Sequence, residues 1–291
     1  MQASLLEVIL CPVCGQADWS LLDAERVHVP YADGAREEVK TGKLRCACGE
    51  QYPISDYVLS LAGLFSPALR QEASYWDRYY GWLIEQGSLG FHDLELGQAP
   101  YITMGVPEPF PASHMLARYD VHHRVADHPL MRQGHTLLDL GVGLGWTSLY
   151  FARSGYAVTA IEPSLGPVQA AKRHAIEQGV FIEYICAAVG SISFRQETFD
   201  NICAFHSLHH VPELESELRE VRKWMRTGGT LALDEHVGNS VLAAALGGRR
   251  DMEDVMHRGY VLAITRRCLN WANEALRALE NLLQQEEHTA Q

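Results

Sequence analysis

The sequence predicts an α/β fold, a mostly parallel sheet with helices on both faces. Three observations carry this. Short apolar strand signals alternate with helix-period segments from residue 131 to about 238. A glycine-rich turn, Gly141-Val142-Gly143-Leu144-Gly145, separates the first strand of that stretch from its first helix. An acid, Glu162, closes the next strand.

The elements follow in order. Thr136 to Leu140 reads as a short apolar strand, and Trp146 to Ser154 as a helix closed by Gly155. Ala157 to Ile161 is a second strand. Ser164 is placed to cap a helix that runs to Gln178 and ends at Gly179. Phe181 to Ala188 and Phe199 to Phe205 are further strands. Pro212 opens a helix with Leu214, Leu218, Val221 and Met225 on one face. Gly228-Gly229 ends it, and Thr230 to Asp234 is a fifth strand. Residues 1–62 are Cys- and Gly-punctuated and β-rich. Residues 63–130 form a helical and irregular lid and linker, broken by Pro100, Pro107, Pro109 and Pro111. Residues 239–291 read as a helical tail with no clear strands.

A strand, a glycine turn and a helix N-terminus make a ligand cradle. Glycine lets backbone approach a ligand with no Cβ between, and helix N–H groups point toward it. A dinucleotide site asks for G-x-G-x-x-G, whereas here the third glycine position is Trp146. An acid at the tip of the second strand, Glu162, can accept hydrogen bonds from both hydroxyls of a ribose.

These residues resemble the class I S-adenosylmethionine-dependent methyltransferases, which have a Rossmann-like core. The resemblance runs from about Thr136 to Val237. It includes Leu138-Asp139-Leu140 before the glycines, Phe199-Asp200, Ser207-Leu208-His209-His210-Val211 and Gly228-Gly229-Thr230-Leu231. It implies that S-adenosylmethionine is held by Asp139, Gly141, Val142, Gly143 and Gly145 at the methionine end and by Glu162 and Pro163 at the ribose. Ala188 and Val189 flank adenine, and His206 borders the transferred methyl. The family often has an acid after the third strand, and here Ala188 stands near that place.

Cys11-Pro12-Val13-Cys14 and Cys46-Ala47-Cys48 form two thiol knuckles. Four thiolates in tetrahedral array imply structural zinc with no open position. Cys-Gly followed by Tyr52-Pro53-Ile54 resembles the small zinc-ribbon domains that precede some methyltransferases, which implies a ribbon over residues 1–62. Metal-free retention of the fold is the alternative. Cys186, Cys203 and Cys268 lie in apolar stretches and read as buried hydrophobes.

Methyl transfer needs an aligned nucleophile and exclusion of water. If the nucleophile is a hydroxyl, a neutral His can take its proton, which points to His206 and then His209. Alternatively, Leu208-His209-His210 is a structural turn with side chains bonded to backbone. The aromatics Tyr75, Trp76, Tyr79, Tyr80 and Trp82 belong to a lid that either lines an acceptor pocket or packs onto the core. The tail residues Val261, Ile264, Cys268, Trp271, Ala275, Ala278 and Leu282 form a helical seam, for a homodimer or for covering the sheet edge.

Acids outnumber bases 36 to 24, a net charge of -12, which disfavours a nucleic-acid partner. No apolar run suits a membrane span, and the start lacks a basic, cleavable leader, so a cytoplasmic protein is expected. The expected activity is methylation of a small-molecule acceptor. An rRNA or tRNA methyltransferase with a zinc-ribbon recognition domain and a non-catalytic cofactor-binding scaffold are the alternatives.

Overall fold

The computed structural model describes residues 1–85, 125–129, 131–205, 207–211, 214–234 and 262–265. In chain order the strands are β1 (Ile9–Leu10), β2 (Trp19–Tyr31), β3 (Gly34–Cys46), β4 (Gln51–Ser55) and β5 (Val58–Ser60). Helix α1 (Pro67–Glu85) follows. Then come β6 (Thr136–Leu140), α2 (Trp146–Arg153), β7 (Ala157–Glu162), α3 (Leu165–Glu177), β8 (Glu183–Cys186) and β9 (Ser193–Phe194). The described chain closes with β10 (Phe199–Phe205), α4 (Leu214–Trp224), β11 (Met225–Asp234) and β12 (Leu262–Thr265).

Ten strands form one sheet in the order β12-β11-β10-β6-β7-β8-β5-β4-β3-β2. The six from β11 to β5 are mutually parallel, and antiparallel pairs finish both ends. The central strands are buried on both faces, which explains their near-continuous apolar runs. Alternate residues serve two cores. Leu138, Leu140, Ile161, Ile185 and Ile202 face α4 and the N-terminal segment. Leu137, Ala160, Tyr184, Cys203 and Phe205 face α1, α2 and α3.

Residues 1–62 do not form a separate ribbon. Strand β5 pairs in parallel with β8 through Leu59↔Ile185 and Ser60↔Cys186, so the N-terminal antiparallel strands extend the central sheet. Leu44, Tyr52 and Leu59 share one buried cluster with Leu138, Ile161 and Phe194. A further tie is ionic. Lys172 of α3 and Glu38 of β3 are both fully buried, with Lys172 Nζ 2.7 Å from Glu38 Oε2. Lys172 also donates to the Tyr31 hydroxyl and the Ile182 carbonyl, at 3.2 and 3.1 Å. The Met1 ammonium lies 3.1 Å from the same Glu38 oxygen, and Tyr31 donates to the other.

Two boundaries differ from the sequence reading. Met225 begins β11 instead of ending α4, and Gly228-Gly229 lie within that strand, where its register against β10 shifts between Phe199 and Asn201. Residues 262–265 are a strand, not helix: β12 pairs antiparallel with β11, Leu231 opposite Ile264. A four-residue apolar run fits either period, and an open sheet edge offers backbone hydrogen bonds that decide for the strand. The other residues of the predicted tail seam lie outside the described residues.

Asp200 locks the start of β10 to the start of β6. Its Oδ2 accepts from the His135 and Thr136 amides, both at 3.0 Å, and from Thr136 Oγ1 at 2.8 Å. Arg226 donates to Oδ1 at 2.8 Å. Burial raises this carboxyl, but the hydrogen bonds more than reverse it and hold it at about 2, against an ordinary 3.8. A depressed folded-state value stabilises above the unfolded value and is lost as pH falls from about 4 toward 2. Asp200→Asn is therefore expected to cost about 2 kcal/mol at neutral pH and to flatten the acid limb of the stability curve. Urea melts between pH 2 and 7 check this, and an unchanged acid limb contradicts it.

Candidate functional site

In an open parallel sheet the ligand crevice lies at the carboxyl ends of the strands, where the chain order reverses. Here strand β6 has β7 on one side and β10 on the other, so the reversal falls at β6. The glycine turn leaves β6 at that end, Glu162 closes β7, and Ala187 to Ser191 follow β8. The structure thus brings together Asp139, Gly141, Val142, Gly143, Gly145, Glu162, Pro163, Ala188 and Val189 along three adjacent strand ends.

Glu162 is the centre of this arrangement. It is buried, and its two oxygens accept from the Gly143 amide at 2.8 Å and the Ser164 amide at 3.0 Å. One carboxylate therefore joins the glycine turn to the start of α3. Burial pushes the Glu162 carboxyl up, opposed by hydrogen bonds from the Gly143 and Ser164 amides and from the Ser164 side chain.

Asp139 sits behind the cradle. It is 2% exposed, and its oxygens accept from Ser148 Oγ at 2.6 Å and Cys203 Sγ at 3.3 Å. Burial raises its carboxyl to about 6, with both hydrogen bonds pulling the other way. In this state Asp139 fixes α2 and β10 against β6. Ser164 is also reassigned: its hydroxyl makes no cap to α3 and donates to the Ala73 carbonyl of α1 at 3.2 Å.

Gly145 has φ +73° and precedes α2. A Cβ there would stand 2.4 Å from the Tyr184 hydroxyl and 2.7 Å from Ala171 Cβ. Left-handed backbone costs an L-residue about 1–2 kcal/mol, and overpacking a core adds about 1–3. Gly145→Ala is expected to lose about 3 kcal/mol of stability. A shift in the urea midpoint worth less than about 1 kcal/mol would show that the turn relaxes freely.

Helix α1 reaches the turns that follow β6, β7 and β10. The Tyr80 hydroxyl lies 2.9 Å from where a Gly143 Cβ would stand. The Asp77 carboxylate accepts from the Gly166 amide at 2.9 Å, and burial raises its carboxyl. Glu72 Oε1 lies 2.7 Å from His210 Nδ1, and the Trp76 ring meets His210 edge-on at 5.4 Å. Sequence reading grouped these aromatics as a lid but did not single out Glu72 or Asp77. Only the spacing of Glu72, Trp76 and Tyr80, four apart on one face, hinted at a shared surface. His210 meets a carboxylate, where backbone bonding had been expected. His206 lies outside the described residues, as does the side chain of His209, whose backbone is in the turn Leu208–His210.

The Sγ atoms of Cys11, Cys14, Cys46 and Cys48 all lie within 4.8 Å of one another. The Cys11–Cys48 and Cys14–Cys46 pairs stand 3.7 and 3.5 Å apart. A tetrahedral ion bonded to sulfur at about 2.3 Å needs edges of about 3.8 Å, so this donor set fits one.

Residues 138–233 match the model of the methyltransferase domain. A ubiquinone biosynthesis O-methyltransferase from Methylocella silvestris is 34% identical over 108 residues, covering 37% of this chain and 41% of that protein. One of the same name from Escherichia coli O7:K1 is 31% identical over 117 residues, covering 39% and 49%. The chain thus spans less than half the length of these relatives. Among solved structures, an S-adenosylmethionine-dependent methyltransferase from Mesorhizobium loti is 23% identical, with a TM-score of 0.33, covering 39% of this chain and 55% of that one. Another from Aquifex aeolicus is 20% identical, with a TM-score of 0.34, covering 44% and 73%. The matched residues 138–233 occupy the middle of the sheet, and the strands flanking them on the β5 side come from the N-terminal segment. No helix of the described residues is long and apolar enough to cross a membrane.

Proposed function

We propose that this protein transfers a methyl group from S-adenosylmethionine to a hydroxyl of a small-molecule acceptor. The observation that carries the reading is Glu162, a buried carboxylate at a strand tip that braces the glycine turn and, with two lone pairs on each oxygen, can accept from a ribose hydroxyl as well. S-adenosylmethionine, when bound, supplies a methyl activated on sulfur. The protein's own residues bind and orient. Glu162 and Pro163 hold the ribose, the Gly141–Gly145 turn holds the methionine end, and Ala188 and Val189 flank the adenine. Tyr80 and Trp76 of α1 help exclude water from above. His206 and His209 are assigned to the acceptor side as candidate proton acceptors. A hydroxyl acceptor accords with the O-methyltransferases among the relatives. Calorimetry with S-adenosylhomocysteine tests the reading, with about one site per chain expected, and absence of binding ends it.

The cysteine cluster is assigned to structural zinc. Four thiolates leave no position for substrate, and Cys11 and Cys46 are buried. Metal analysis of chelator-free protein is expected to find about one zinc per chain. Cys46→Ser is expected to lose the ion and to lower the melting temperature; a metal-free protein with an unchanged melt would remove zinc from the account.

A further inference from the structure

The cysteine cluster is far in sequence from the nucleoside crevice, but one strand pair, β1 with β9, links the segments that carry them. Cys11 directly follows β1, and β1 pairs with β9: Ile9 opposite Phe194 and Leu10 opposite Ser193. The contact continues with the Arg195 amide donating to the Val8 carbonyl at 2.8 Å and Arg195 Nε to the Glu7 carbonyl at 2.6 Å. Ile9, Phe194 and Ile192 are buried together in one core. Strand β9 lies just after the turn that follows β8. That turn is held by Ser191, whose Oγ accepts from the Ala188 amide and donates to the Ala188 carbonyl, both at 2.9 Å.

The other half of the cluster is anchored differently. Cys46 ends β3, a strand of the main sheet, and its amide donates to the Glu50 carbonyl at 2.9 Å. An ion shared by the four thiolates therefore ties β3 to β1, and β1 grips residues 193–195. The chain just before that segment, from Ala187 to Ser191, borders Glu162: the Ala187 amide donates to the Glu162 carbonyl at 3.0 Å. Ala188 itself offers no side-chain acceptor to a base, so the backbone of this stretch bears on recognition, and β1 pairs with the strand that directly follows it.

We infer that occupancy of the cysteine cluster and occupancy of the nucleoside crevice are thermodynamically linked through β1 and β9. This rests on the proposed S-adenosylmethionine and zinc sites. Linkage is reciprocal: a metal that tightens the nucleoside is itself tightened by it, by the same factor. The strut transmits because it is short, buried and hydrogen-bonded at both ends.

The test uses the full-length, zinc-loaded protein. Zinc affinity is measured by equilibrium competition with a chromogenic chelator, with and without saturating S-adenosylhomocysteine, whose binding is measured by calorimetry in the same preparation. The nucleoside is expected to raise zinc affinity about fivefold or more. Ser193→Pro removes an N–H donor from the β1–β9 pairing while leaving every thiol and every crevice residue in place. It is expected to retain zinc, to bind S-adenosylhomocysteine more weakly, and to lose the gain in zinc affinity. An unchanged zinc affinity with the nucleoside demonstrably bound overturns the linkage, as does the full gain in folded Ser193→Pro. If that variant fails to fold, the wild-type affinities alone decide. A protein that binds no zinc or no S-adenosylhomocysteine instead fails at the proposed function, and the linkage falls with it.

Discussion

Replacing Glu162 with glutamine is expected to weaken S-adenosylhomocysteine binding about 100-fold. The carboxylate accepts one amide on each oxygen, from Gly143 and Ser164. Glutamine keeps one carbonyl oxygen and turns an NH2 group toward the other amide. That N–H then has no acceptor in a buried site, at a cost of about 1–3 kcal/mol. A ribose hydroxyl also loses a charged acceptor, and hydrogen bonds to charged groups are worth about 1.5–3 kcal/mol. Part of this total falls on the fold, so the loss in affinity is placed near 2.7 kcal/mol, or about 100-fold. Calorimetry on protein verified as folded by circular dichroism reads it. An affinity within threefold of the parent would show that another group holds the ribose.

Lys172→Met is expected to destabilise the protein by about 3–5 kcal/mol. Lys172 and Glu38 are both inaccessible to solvent. Burial raises the Glu38 carboxyl, and the positive charges of Lys172 and Met1 hold it below the ordinary range. Methionine fills the volume of the lysine stem but leaves the carboxylate with one ammonium partner instead of two. Breaking a buried pair costs more than the pair is worth, because the remaining charge stays desolvated. A second change, Glu38→Gln, is therefore expected to recover part of the loss when combined with Lys172→Met. Urea midpoints of the two single variants and the double variant test this. A Lys172→Met loss under about 1 kcal/mol would mean that water reaches Glu38 once the lysine is gone.

Much of the crevice was legible before any coordinates. The glycines, Glu162 and the strands around them are local features. A turn needing left-handed backbone at Gly145, and an acid at the tip of a short apolar strand, are written in neighbouring residues. The spacing of the four cysteines likewise announced two knuckles. Glu72 and Asp77 were not legible, because a carboxylate on a polar helix face looks the same whether it meets solvent, His210 or Gly166. Met225 was drawn into the preceding helix because its apolar period continued, and pairing with Phe199 decided otherwise.

The sequence by itself determined the class of fold and the turn and strand tip on which Gly141 to Gly145 and Glu162 stand. Those depend on short-range rules: the period of burial, the stereochemistry of glycine and the chemistry of one acid. The tertiary structure decided that residues 1–62 join the central sheet through β5 and β8, that Lys172 finds Glu38, and that β12 completes the β11 edge. It also paired β1, which leads into the first cysteine knuckle, with β9, which follows the turn after β8. The physical reason is that strand pairing and buried charge pairing satisfy groups far apart in the chain. An unpaired backbone edge or a desolvated carboxylate names the kind of partner it needs, but not where along the chain that partner lies.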